Sequence, residues 1–287
     1  MPPESSRLAI DLSSSLIRVL DGVMGGNMRS GAVPLPDSAW SAGKVSDANA
    51  VGQAIRQLLA RSEIVETHAH VAVSDAVATF RVLDLDRAAS DQQVSAAVAR
   101  ELALDPERFA TRWVDVGHED DRRTVYAAAW DRATMKDISD ALRLAGLDPV
   151  VIELKSAALA RTVSDRSCIV LDLVSNPAEI IIIDRHLPQL WHGFELKTPI
   201  SEGLEEAVAT QLRSAIRFYK RRRDMSLGPT SPLLVVSEQV LPGQLLNDLS
   251  DLVGQPARAL APPPRVPASV RHSTYLTCLG LMMRRDQ

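Results

Sequence analysis

The feature that most limits what this chain can fold into is an internal repeat of strand order. Leu8-Ala9-Ile10-Asp11-Leu12-Ser13-Ser14 and Val170-Leu171-Asp172-Leu173-Val174-Ser175 open two halves alike, each an apolar strand ending on Asp before a short turn. In the first half, runs rich in Val, Ile and Leu predict strands over Leu8–Asp11, Leu16–Val23 and Asn27–Pro34. Met24-Gly25-Gly26-Asn27 supplies a hairpin turn, because Gly and Asn tolerate positive φ. A helix over Asp47–Arg61 follows, with Asp47 as N-cap and Val51, Ile55, Leu58 and Leu59 on one face, and then a strand over His68–Val73. The second half repeats the order with strands over Ser167–Leu173, Ala178–Asp184 and Leu190–Leu196, and a turn at His186-Leu187-Pro188. A long helix over Ser201–Arg223 and a strand over Leu233–Val236 complete it. Two βββαβ halves predict two related α/β lobes facing one another.

Between the halves lies an extra unit. Its pattern predicts a helix near Asp91–Leu104, strands near Phe109–Val116 and Arg122–Ala129, and a helix near Asp131–Ala145. Gly146 reads as a C′ residue, with Pro149 shortly after it. The polar run Gly117-His118-Glu119-Asp120-Asp121 reads as an exposed hairpin loop. The expected division is lobe 1 over residues 1–74, an inserted αββα subdomain over 75–145, and lobe 2 over 146–287. Residues 146–163 and the last helix are candidates for return to lobe 1.

At 287 residues, with 46% hydrophobic and 24% charged, the chain can support two packed cores. A formal net charge of -4 argues against nucleic-acid binding, which needs a surplus of cations over the phosphates. The two cysteines, Cys168 and Cys278, suggest no disulfide framework and hence a reducing cytoplasm. Met1 to Arg7 lacks the basic start of a signal peptide. No run of 18 apolar residues occurs, so membrane contact is expected to be peripheral.

The order βββαβ, inserted αββα, βββαβ resembles the actin-like ATPase superfamily, and within it the PilM-like proteins of type IV pilus assembly. The stretch Leu8 to Val19 is similar to the superfamily's first phosphate motif, Asp-x-Gly-Ser-Ser-Ser-x-Lys. Ala145-Gly146-Leu147-Asp148-Pro149 before a strand and an Ala-rich helix is similar to PilM-like chains. So are Leu212-Arg213-Ser214-Ala215-Ile216-Arg217-Phe218-Tyr219 and the ending Leu279-Gly280-Leu281-Met282-Met283-Arg284.

The resemblance implies a two-lobed actin-like fold (ribonuclease H-like and duplicated) with the αββα insert in the first lobe. It implies a cytoplasmic scaffold, peripheral to the inner membrane, for a type IV pilus or related secretion platform. Its implied partner is a PilN-like single-span membrane protein, docking a cytoplasmic peptide near Thr79, Phe80, Arg81 and Val82 and the helix Asp91–Leu104. Self-association is a further implied contact, and nucleic acid is not. The alternative is an ATP-binding switch or phosphotransferase, with Asp11, Ser13, Ser14, Ser15 and Asp172 around ATP and Mg²⁺ in the cleft.

The departures from the pattern weigh against that alternative, and no cofactor is expected. The glycines of the two phosphate turns are Ser13 and Val174, and the adenosine-side glycine pair is Ser237-Glu238. The link from Leu196 to Ser201 is too short for a roof subdomain. Without the glycines, Asp11 and Asp172 read better as caps of tight turns than as Mg²⁺ holders, and the site reads as a vestigial nucleotide cleft in a chain that is not an enzyme.

Other features have plain readings. Lys220-Arg221-Arg222-Arg223 could meet acidic lipid, but cations at a helix end also complement its dipole. His68 and His70 share a strand face without a third ligand nearby, so no metal is expected. Pro262-Pro263-Pro264 and Pro267 suggest a rigid connector, with a polyproline ligand as the minor reading. Glu153 and Glu179 are carboxylates near the second lobe but in no recognisable kinase context. No P-loop, dinucleotide fingerprint or nucleophile elbow is present.

Overall fold

The structure, a computed structural model, describes residues 7–41, 43–119, 121–196, 204–221 and 227–284. Several sequence expectations fall outside these: residues 1–6, Asp120, the link after Leu196 with the helix start at Ser201, and Arg222 and Arg223.

The first sheet begins with β1 (Arg7–Leu12), β2 (Leu16–Gly22) and β3 (Met28–Pro34), an antiparallel meander. A small ribbon, β4 (Trp40–Ser41) with β5 (Lys44–Val45), leads into helix α1 (Ala48–Arg61). Asp47 caps α1 as expected, its carboxylate accepting from Asn49 N at 2.9 Å and Ala50 N at 3.1 Å. Strand β6 (His68–Val73) then runs parallel to β1.

The chain next makes β7 (Ala78–Asp86), helix α2 (Asp91–Leu102), β8 (Phe109–Glu119) and β9 (Arg122–Asp131). These strands form a separate three-stranded antiparallel sheet with β9 central. Helix α3 (Arg132–Leu144), capped by Asp131, ends at Gly146 with φ +84°, and β10 (Asp148–Leu154) pairs parallel with β6.

The second half starts after the short helix α4 (Lys155–Ala160). It consists of β11 (Cys168–Asp172), β12 (Ala178–Asp184), β13 (Leu187–Phe194), α5 (Leu204–Lys220), β14 (Leu233–Val236), α6 (Gly243–Val253), β15 (Ala257–Ala259) and α7 (Leu276–Met282). The two five-stranded sheets follow one path. Their orders are β3-β2-β1-β6-β10 and β13-β12-β11-β14-β15, so in each the third, second, first, fourth and fifth strands lie side by side. The repeat in sequence is therefore a repeat in topology.

Each sheet is covered on both faces. In lobe 1, Leu8, Ile10, Ile17 and Val71 pack against Val51, Ile55 and Leu58 of α1 and Ile138 and Leu142 of α3. In lobe 2, Ile169, Leu171, Ile180 and Val235 pack against Val208, Leu212 and Ile216 of α5 and Leu245 and Leu249 of α6. The remaining faces turn toward each other. Ala9, Leu20 and Ala72 meet Ala158 of α4 and Cys278, Leu279 and Leu281 of α7. Val170, Ile181 and Leu234 meet Leu159 and Ala160 of α4 and Leu276 of α7. Thus α4 and α7 lie between the lobes. At their crossing, a Cβ on Gly280 would run into the Ala158 carbonyl.

The inserted unit departs from the expected αββα order in two ways. It has a third strand, β7, with no clear period in its sequence because its ends bury opposite faces. Phe80 turns to the lobe 1 core and Leu83 to the small core under α2. Helix α3, grouped with the insert from its position in the chain, sets Ile138, Ala141 and Leu142 into the lobe 1 core beside α1. The turn between β12 and β13 also moves. Arg185 and His186 carry it, with φ of +53° and +62°, while Leu187 and Pro188 are already in β13.

Candidate functional site: the interlobe cleft

The matching strands β1 and β11 deliver Asp11 and Asp172 to equivalent positions. Asp11 stands opposite Arg18 in the β1–β2 hairpin, and Asp172 stands opposite Glu179 in the β11–β12 hairpin. Each Asp turns back on its own loop. Asp11 Oδ1 accepts from Ser13 N at 3.0 Å and Ser13 Oγ at 2.5 Å. Asp172 Oδ1 accepts from Val174 N at 2.9 Å and Ser175 N at 3.3 Å. These bonds use the loop amides that would otherwise converge on an anion. Neither Ser13 nor Val174 is at positive φ, so the loops close through the Asp carboxylates rather than through a left-handed turn.

The remaining oxygens of these acids face cations of the chain itself. Buried Arg18 lies 3.7 Å from Asp11 Oδ2, and its Nη1 also donates to the Leu16 carbonyl at 3.2 Å. Lys155, the first residue of α4, is 1% exposed. Its Nζ reaches Asp172 Oδ2 at 2.6 Å, Glu179 Oε2 at 2.6 Å and Ser175 Oγ at 2.5 Å. Burial disfavours its charge, but Asp172, Glu179 and Asp11 together outweigh it and hold the ammonium above the ordinary lysine range. Burial pushes Glu179 up to about 7, against the pull of Lys155. It works on Asp172 in the same direction, but Lys155 and the loop amides prevail and hold that carboxyl low.

The next residue, Ser156, makes a second connection. Its N donates to Asp75 Oδ2 at 2.9 Å and its hydroxyl donates to Asp75 Oδ1. Burial pushes Asp75 up to about 6. Glu153 is engaged too, by Arg161 and by Arg284 Nη1 at 2.8 Å.

These contacts test the fit to Mg²⁺ and ATP, the ligand the fold family implies. Both carboxylate loops already hold a resident cation, and their amides are already donated inward. Ser14 Oγ donates to the Leu16 carbonyl at 3.1 Å, and the Ser15 carbonyl accepts from Leu35 N, so the serine run is knitted into the β1–β2 turn. Exposed Glu238 accepts from Thr274 Oγ1 at 3.1 Å. The residues present do not fit the cofactor. Among the described residues, no cluster of three or more His, Cys, Asp or Glu could hold a metal.

Two hollows flank the insert. One of about 480 Å³ lies between β7 and lobe 2, with Thr79, Phe80 and Arg81 facing Trp191, His192 and Phe218. Phe80 itself is buried and stacks on Tyr126 at 5.7 Å, and Val82 lines neither hollow. The larger, about 790 Å³, is a groove between the insert and lobe 1 that is also lined by His186, Leu187 and Pro188 of lobe 2. Arg112, Trp113 and Val114 of β8 and Tyr126 and Trp130 of β9 form one wall, and Ile152 to Leu154 of β10 and Arg161 form the other. Among the described residues, the outer edges of β8 and β10 pair with no further strand. Helix α2 packs against its own sheet through Val94 and Val98.

Sequence reading found the paired acids but not Lys155. Its partners lie 17 and 24 residues on, across the interlobe space, and the only local sign is a lysine between an apolar strand and an Ala-rich helix.

Two duplicated sheets with helices crossing between them define the class: a two-lobed actin-like fold. A Bacteroides thetaiotaomicron protein described as having an actin-like ATPase fold and unknown function matches at TM-score 0.54 and 11% identity, over 98% of this chain and 97% of that one. The chain is more similar to the solved structure described as the PilM-PilN type IV pilus biogenesis complex. That match has TM-score 0.74 and 18% identity, and covers 98% of both chains. The cytoplasmic domain of EpsL, an inner membrane component of the type II secretion system of Vibrio cholerae, matches at TM-score 0.51 and 14% identity, over 86% of this chain and 94% of that one. No family model matches the sequence, and no curated protein matches it.

Proposed function

We propose that this protein is a non-catalytic actin-like scaffold of a type IV pilus or related secretion platform. It docks an extended cytoplasmic peptide of a PilN-like, membrane-anchored partner. The observation that carries the reading is the groove between the insert and lobe 1, walled by β8 and β9 on one side and β10 on the other. An unpaired strand edge offers main-chain hydrogen bonds, and the adjoining apolar surface of Val114 and Ile152 offers side-chain pockets. Thr79 and Arg81, on one side of β7 and lining the smaller hollow, form a second face for the same partner or for another copy of the chain.

A working place on the cytoplasmic side of the inner membrane fits this reading, and no described helix is long and apolar enough to cross a membrane. The non-catalytic assignment is supported by the internal pairing of Asp11, Asp172, Glu179 and Glu153. We divide the chain correspondingly into lobe 1 (residues 7–77 with α3, β10 and α7), the insert (78–131) and lobe 2, with α4 bridging the two lobes.

The test is recovery of bound protein from detergent-solubilised membranes, followed by titration of the recovered partner's cytoplasmic peptide. The expected affinity is micromolar, about 8 kcal/mol. Val114→Asp, at a half-exposed groove position, should weaken the peptide at least tenfold without changing the fold. Recovery of soluble metabolic enzymes alone, or a peptide indifferent to Val114→Asp, would count against the groove.

A further inference from the structure

The cleft suggests a role for Lys155 that does not depend on any docking partner. We propose that Lys155 is a resident counter-ion that latches lobe 2 onto lobe 1, its backbone leaving the lobe 1 sheet and its ammonium neutralising the acids of the β11–β12 hairpin. The backbone before it belongs to lobe 1, since Leu154 pairs with Val73 in the first sheet. Its ammonium belongs to lobe 2, where it contacts Asp172, Ser175 and Glu179 at 2.5–2.6 Å. The side chain therefore spans the interlobe space at the start of the only helix that directly joins β10 to β11.

Three features make this a built device rather than an incidental ion pair. The ionic groups are buried: Lys155, Asp172 and Glu179 are 1%, 4% and 3% exposed. All three partners of the ammonium are oxygen atoms of one hairpin, so the contact grips a single rigid element. Ser156 is bound through both its N and its hydroxyl to Asp75 on the lobe 1 side, so adjacent residues of α4 are anchored on opposite sides of the cleft. Arg18 plays the matching role for Asp11 within lobe 1. Buried acids of this kind need a cation, and an ionic contact inside the chain supplies it at any ligand concentration.

The inference predicts an interlobe distance that does not respond to Mg²⁺ or ATP. Val65 and Val240, 89% and 98% exposed, lie one in each lobe, and Cys168 and Cys278 are buried. Spin labels on Val65→Cys and Val240→Cys therefore report the lobe separation by pulsed electron resonance. The expected result is one narrow distance distribution, unchanged by millimolar Mg²⁺ with ATP. Lys155→Met, which keeps most of the length but not the charge, should broaden and lengthen it. If Lys155→Met does not fold, Glu179→Gln in the intact chain should give a smaller broadening. A separation unaltered by both Lys155→Met and Glu179→Gln, or a wild-type separation that shifts with Mg²⁺ and ATP, would overturn the latch.

Discussion

At the scale of single residues, buried acids carry the measurable signatures. Asp75 faces Ser156 N and Oγ directly, with Lys155 acting on it through charge; Tyr126 and Glu179 are in turn sensitive to its charge. Burial raises it from 3.8 to about 6, so between these values the folded protein holds a proton that the unfolded chain releases. Its contribution to stability is complete below pH 3.8 and is lost as pH rises through about 6. Asp75→Asn retains an acceptor for Ser156 N without titrating. The difference in urea midpoint between wild type and Asp75→Asn should thus fall across this window and then level off. A difference that is flat with pH would refute the assignment. Asp172 has the opposite sign, contributing above its ordinary value of 3.8 and losing that contribution in acid. The equivalence of Asp11 and Asp172 was legible in sequence because it is a strand-end pattern. The cations that neutralise them were not, because Arg18 acts across a hairpin register and Lys155 across two lobes.

At the scale of elements, local chemistry was readable wherever a cap or turn residue dictated the backbone. Asp47 at α1 caps through its carboxylate, and Gly146 after α3 and Gly25 between β2 and β3, at φ +84° and +81°, take the positive φ that the lack of a Cβ allows. Strand β7 was hidden because its burial changes face midway, and α3 because a helix's sequence shows that it is amphipathic without saying what it covers. The crossing of α4 and α7 is the most demanding contact between elements. Gly280→Ala would gain up to about 1 kcal/mol in helix propensity. Against this, its Cβ would meet the Ala158 backbone, which cannot rotate aside, and overpacking of this kind costs about 1–3 kcal/mol. The second effect should prevail, lowering the denaturant midpoint with little change in its slope. A neutral or stabilising Gly280→Ala would mean that α4 and α7 are not held in this close approach.

At the scale of the whole molecule, the question is whether the two lobes still work as a nucleotide clamp. A phosphate cradle needs converging N–H groups and close backbone approach. Here the amides of Ser13, Val174 and Ser175 are turned onto Asp11 and Asp172, and the β-branched Val174 is partly buried against the face of the lobe 2 sheet. The ammonium of Lys155 lies against Asp172 Oδ2 and Glu179 Oε2, so these oxygens are already neutralised and would have to give up that cation to take another. Displacing it would leave a lysine buried without its partners, a cost that nucleotide binding would have to overcome. Each loss of about 1.4 kcal/mol weakens affinity tenfold, so three such losses carry a micromolar site to the millimolar range. Calorimetry with Mg²⁺ and ATP should therefore detect no binding at micromolar concentrations, and peptide docking in the β8–β10 groove should proceed equally with and without nucleotide. A clear micromolar isotherm that disappears in Asp11→Ala would restore the switch reading. The same isotherm retained in Asp11→Ala would place the nucleotide elsewhere on the molecule and leave the sealed cleft standing.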